Sequence, residues 1–137
     1  MAQASPSNKP ARPLSPHLSI YKRESNMVMS ILHRITGAGL YAGTLLLAWW
    51  LVAAATGPEA LAFVNRVLAS PLGLLVLVGF TWALVHHLLG GIRHLIWDTG
   101  RGFDISSINA LSWATMIGSI VLTIAIWVWA LASKGGL

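Results

Sequence analysis

Three long apolar runs with short polar breaks organise the chain, at about Met27–Ala55, Pro71–Trp97 and Ile108–Leu131. Each meets or exceeds the roughly 20 helical residues needed to cross the hydrocarbon of a bilayer. The pattern predicts an all-α integral membrane protein with three transmembrane helices, spanning 27–55, 71–97 and 108–131. The breaks carry helix-stop and helix-start signals. Gly57 suits a helix terminus, Pro58 the first position of the next helix, and Ser70-Pro71 a cap followed by a first-turn proline. Between the first two runs, Pro58–Ala69 places Leu61, Val64 and Leu68 on one side, with Glu59 and Arg66 elsewhere. That predicts a short interfacial helix lying on the membrane surface. Residues 1–25 are polar and proline-containing and form an N-terminal arm, leaving 26–137 as the membrane domain; Ser25 is the expected cap of the first helix.

Composition confirms the class and charge orients it. The 137 residues are 55% hydrophobic and 9% charged, against about a quarter charged in an average soluble domain. Seven of the nine Lys and Arg residues precede or open the first span or flank the second loop: Lys9, Arg12, Lys22, Arg23, Arg34, Arg93 and Arg101. Only Arg66 and Lys134 lie on the other side, so the N-terminus and second loop are expected inside. The net charge of +5 follows this topology; no basic patch interleaved with aromatics suggests nucleic acid. Trp49, Trp50, Trp97, Trp127 and Trp129 fall near span ends, as interfacial anchors do, and Trp82 is expected to pack between helices. The arm lacks the apolar core of a secretory signal and a clear transit-peptide pattern, which favours a bacterial inner membrane over a mitochondrial one.

Within this frame, ionisable side chains in the spans are functional candidates, because they are costly in lipid. His87 and His94 are two turns apart and share a face, with Gly91 between them. At 1.5 Å per residue His87 lies roughly 15 Å deeper than Trp97. Antiparallel helices place the start of the first span beside the end of the second. Ser30, His33 and Arg34 are therefore expected to face His87, Arg93 and His94 in one leaflet. A deep imidazole beside a flat glycine surface, with cations at the rim, suits a haem. His86 competes with His87 for the ligand role, about 100° around the helix. Arg34 and Arg93, taken on their own near the span ends, read as snorkelling anchors. With no cysteine, the chain can hold neither disulfides nor thiolate-bound clusters, and it has no dinucleotide-binding βαβ pattern.

Two signatures resemble a known family. One is Arg12-Pro-Leu-Ser-Pro-His-Leu-Ser-Ile-Tyr21 followed by Ser30-Ile-Leu-His33-Arg34-Ile-Thr36-Gly37. The other begins at His87, with Gly91, Arg93-His94, Trp97, Asp98 and Gly100 at the family's spacing. Beginning it at His86 would leave Ile92 where the arginine belongs. The chain thus resembles the cytochrome b membrane-anchor subunit of succinate dehydrogenase (respiratory complex II). Ser25 departs from the pattern, which expects an apolar residue or proline there.

The resemblance implies a haem b-binding anchor in a helical bundle with a second membrane-anchor subunit, which supplies the other axial ligand. His87 would hold the haem iron, and His33, Arg34 and His94 would lie at the propionate rim. Ser30 and Arg34 would line a pocket for ubiquinone as substrate, next to the iron–sulfur subunit. A quinone carbonyl needs donors and its reduced forms need nearby positive charge, which a serine hydroxyl and a guanidinium supply. FAD and iron–sulfur clusters would reside only in the flavoprotein and iron–sulfur subunits, and succinate would not touch this chain. Two other readings compete: a haem-free structural anchor with the same fold, and a small transport component using His87 and Arg93 for ion passage.

Overall fold

A computed structural model describes residues 22–133, so the Arg12–Tyr21 signature and the Lys134–Leu137 tail lie outside the described residues. Four helices follow in order: α1 (Ser25–Thr56), α2 (Pro58–Leu68), α3 (Pro71–Asp98) and α4 (Ile105–Ser133). The three long ones are long and apolar enough to span a membrane, and each extends the expected span by no more than three residues at either end. The protein is a multi-pass membrane protein.

The helix ends follow local chemistry. Gly57 takes φ +143°, a conformation that L side chains rarely adopt, while its N–H closes α1 on Ala53 O. Pro58 then opens α2 where no N–H is needed. Ser70 caps α3 by accepting from Gly73 N at 3.2 Å. After α3, Gly100 and Gly102 both sit at φ +76°, and Trp97 Nε1 donates to Gly102 O at 3.1 Å, tying the loop back to the helix. Asp104 caps α4, its carboxylate accepting from Ser107 N at 2.9 Å and from the Ser106 hydroxyl. Those two bonds, Ser106 foremost, hold the exposed Asp104 carboxyl down to about 2.

The start of α1 departs from expectation. Ser25 is not the cap: Glu24 occupies that position in extended conformation, with no side-chain cap bond. Ser25 lies inside the helix and donates to Asn109 Oδ1 at 2.8 Å, joining the start of α1 to the start of α4. A serine that finds a tertiary acceptor is not needed as a cap.

The bundle is inverted relative to a soluble protein. Large apolar side chains such as Ile31, Leu45, Leu75 and Ile124 are exposed, as suits lipid or another membrane helix. The interior instead holds small and hydroxylic residues. Along α4, Ser112, Thr115, Ser119 and Thr123 are all buried, at spacings of three and four that form one stripe facing inward. The last three return their hydroxyl protons to carbonyls in the preceding turn, so they can be buried without orphaned donors. Small residues let helices approach closely where water offers no driving force for packing. At the α1–α3 contact, Gly43 leaves the space that the Phe80 ring occupies. α2 turns Val64 inward at 1% exposure, with Leu61 and Leu68 half-buried on the same side. Trp50 holds it by donating to Asn65 Oδ1 at 3.1 Å.

Candidate functional site

α1 and α3 cross with two histidine rings between them. His33 and His87 stack with centroids 3.9 Å apart and planes 5° from parallel. Two glycines permit it. A Cβ on Gly90 would lie 2.5 Å from His33 Nδ1, and one on Gly37 would lie 3.0 Å from His87 Cε1. The sequence drew attention to Gly91, but a Cβ there would meet nothing within 4 Å. The close approach belongs to Gly90 and Gly37, and Gly91 leaves an open face.

The His87 imidazole is oriented by α1. Its Nδ1 lies 3.1 Å from His33 O. A carbonyl only accepts, so Nδ1 carries the proton and Nε2 keeps its lone pair. Thr36, 2% exposed, reinforces this: its hydroxyl proton goes to Leu32 O and His33 O, so its oxygen, 3.4 Å from Nδ1, is a second acceptor. Nε2 makes no hydrogen bond among the described residues. An imidazole fixed through Nδ1 with Nε2 free is the tautomer a metal ligand requires. Thr36 and Gly37 received no such role from sequence, although both belong to the first signature.

His94 joins the same face, 5.2 Å from His33 by ring centroids and edge-on to Trp97 at 5.3 Å. His94 is exposed, as is Arg34, which has no partner among the described residues; Ser30 is half-buried and its hydroxyl is likewise unpartnered. His33, His87 and His94 are thus brought together, while Ser30 and Arg34 stand one turn or less from His33 on α1 with their polar atoms uncommitted.

One side chain is not where the helix-face reading put it. Arg93 does not face α1, nor does it snorkel: it is 2% exposed, turned towards α4 with Nη1 donating to Ser112 Oγ at 3.4 Å and its guanidinium 5.0 Å above the Trp97 ring. His86 points the same way. It is 1% exposed, bonded through Nδ1 to Ser119 Oγ at 3.2 Å, with Trp82 tilted against it at 5.2 Å. One residue of helix, about 100°, therefore separates two environments: the α1-facing cluster of His33, His87 and His94, and an α4-facing seam of His86, Arg93 and hydroxyls.

Comparison with known proteins identifies the family. The family described as succinate dehydrogenase/fumarate reductase transmembrane subunit matches residues 8–126. The succinate dehydrogenase cytochrome b556 subunit of Paracoccus denitrificans is 47% identical over 117 residues, covering 85% of this chain and 90% of that protein. The cytochrome b556 subunit of Rickettsia felis is 43% identical, covering 85% and 91%. The mitochondrial succinate dehydrogenase cytochrome b560 subunit of Bos taurus is 36% identical over 118 residues, covering 84% and 69%. A match over most of the chain, three spans and both signatures lead to one conclusion: the chain belongs to the succinate dehydrogenase/fumarate reductase transmembrane subunit family, as a membrane-anchor subunit of a succinate:quinone oxidoreductase.

Proposed function

We propose that this subunit binds a b-type haem through His87 and forms part of the ubiquinone pocket with Ser30 and Arg34. The observation that carries the haem assignment is the hydrogen bond from His87 Nδ1 to His33 O, 3.1 Å, which leaves Nε2 as the free donor atom. The residues fit the group. His87 is only half-buried in this chain, so a cofactor shared with a neighbouring subunit can reach it. His86 fits poorly: its ring is enclosed by α4 and committed to Ser119. The relatives from Paracoccus denitrificans and Rickettsia felis are named as cytochromes, which supports the same reading.

When bound, the haem supplies a one-electron redox centre in the membrane. The chain's own residues then divide the work. His33 O and Thr36 Oγ1 hold the His87 proton at Nδ1 and keep the imidazole aimed. His33, Arg34 and His94 offer donors to the haem carboxylates, Arg34 as a fixed cation. Ser30 and Arg34 offer a hydroxyl and a guanidinium to a quinone carbonyl, and Arg34 stabilises the negative charge that oxygen gains on reduction. The exposed apolar faces of α1 and α3 exclude water from this rim once lipid and partners cover them.

The partners are a second membrane-anchor subunit giving the other axial ligand, the iron–sulfur subunit that delivers electrons, and the flavoprotein that oxidises succinate. The excess of basic residues at the α1 start and second loop supports a reading in which that end of the bundle lies on the cytoplasmic face of a bacterial inner membrane. The test is Arg34→Ala in the assembled complex. Succinate–quinone reductase activity falls at least tenfold, while succinate oxidation by an artificial acceptor persists. Equal loss of both activities, or retention of both, would remove Arg34 from the quinone site.

A further inference from the structure

The seam between α3 and α4 contains a charge that the proposed site does not use. Arg93 is 2% exposed, and its surroundings are neutral: Ser112 Oγ at 3.4 Å, the Trp97 ring face at 5.0 Å, and no partner for Nε. No carboxylate among the described residues pairs with it. Arginines near span ends ordinarily snorkel to water or pair with an acid; Arg93 does neither. Because this chain's own helices enclose it, a neighbouring subunit has almost no surface through which to offer a counter-ion. An uncompensated buried cation is costly, and removing hydration makes its field reach further than it would at a surface.

His87 lies on the same helix six residues earlier, an axial rise of about 9 Å. Arg93 is turned about the helix away from it, so the two do not touch. We propose that Arg93 raises the reduction potential of the haem held on His87, acting through its charge alone as a positioning residue for the electron. The inference rests on the haem reading given above. Reduction adds one electron to the iron with no bond made or broken, so a nearby positive charge favours the reduced form. A unit charge on the order of 10–15 Å away at an effective dielectric near 20 changes that equilibrium constant by about one order of magnitude. For a one-electron couple, tenfold corresponds to about 59 mV.

The experiment is a potentiometric titration of the haem band in the purified complex, comparing wild type with Arg93→Gln, Arg93→Lys and Ser112→Asp. Arg93→Gln removes the charge, and the midpoint falls by the equivalent of about tenfold in the constant. Arg93→Lys keeps the charge and stays close to wild type. Ser112→Asp leaves Arg93 in place but sets a carboxylate beside it, and lowers the midpoint in the same direction, so the proposal does not depend on Arg93→Gln assembling. An unchanged midpoint in either haem-loaded neutralised variant overturns the proposal, as does a Lys variant that shifts as far as Gln. Loss of haem from both neutralised variants also overturns it, because Arg93 would then be structural. A wild-type complex without a haem band would instead defeat the cytochrome reading itself.

Discussion

The contact between Gly90 and His33 admits a sharp perturbation, Gly90→Ala. A Cβ placed at Gly90 would lie 2.5 Å from His33 Nδ1, 3.1 Å from Cε1 and 3.4 Å from Cγ. Ordinary contact begins near 3.4 Å, so the ring or the helix must give by roughly 1 Å, an overpacking cost of about 1–3 kcal/mol. The ring cannot yield freely, because His87 stacks on it at 3.9 Å and donates from Nδ1 to the same residue's carbonyl oxygen. Against this, alanine in a helix interior gains about 0.5–1 kcal/mol over glycine. The net effect is a loss of up to about 2.5 kcal/mol, concentrated on the His33–His87 pair. The assay is haem content and the reduced-minus-oxidised spectrum of the purified complex after graded heating. Gly90→Ala loses haem at lower temperature than wild type and shifts its band. Gly79→Ala, whose Cβ would meet nothing within 4 Å of this chain, serves as the comparison on the same helix. A Gly90→Ala complex as heat-resistant and spectrally identical as wild type would refute the claim that this close approach positions His87.

Two further outcomes follow from the structure. Ser119→Ala leaves both nitrogens of the buried His86 without partners and destabilises the α3–α4 contact by about 1–3 kcal/mol; thermal inactivation of the complex reads it, and no change would mean His86 finds another acceptor. The Asp104 carboxyl is held down to about 2 by Ser106 and Ser107, so its capping contribution is fully present above its ordinary value near 3.8 and is lost as pH falls through about 2. Amide exchange at Ser107, corrected for the intrinsic rate, stays protected at pH 5 and opens only in strong acid; loss of protection already at pH 5 would contradict the cap.

Much of the fold is legible in the sequence because its signals are strong and local. Long apolar runs, Gly57-Pro58 and Ser70-Pro71 mark α1, α2 and α3 to within about two residues, and periodicity alone brings His33, His87 and His94 together once the helices are antiparallel. What periodicity does not report is which neighbour each helix face meets. Arg93 and His94 are adjacent, yet one is enclosed against α4 and the other is exposed near α1. Ser25 illustrates the same point, since its acceptor is Asn109, 84 residues away. The stripe of Ser112, Thr115, Ser119 and Thr123 was available as a pattern of small polar residues within an apolar helix. Its meaning depends on His86 and Arg93 facing it, and only the packed helices supply that.

The central claim is that His87, oriented through Nδ1 by His33 and Thr36, binds the haem. Its most direct test is a reduced-minus-oxidised visible spectrum of the purified complex, with His87→Ala and His86→Ala beside wild type. The account predicts a b-type spectrum in wild type, lost or shifted in His87→Ala, and retained in His86→Ala with the complex less stable. A spectrum unchanged in His87→Ala but lost in His86→Ala would contradict it, and would place the ligand in the α4-facing seam.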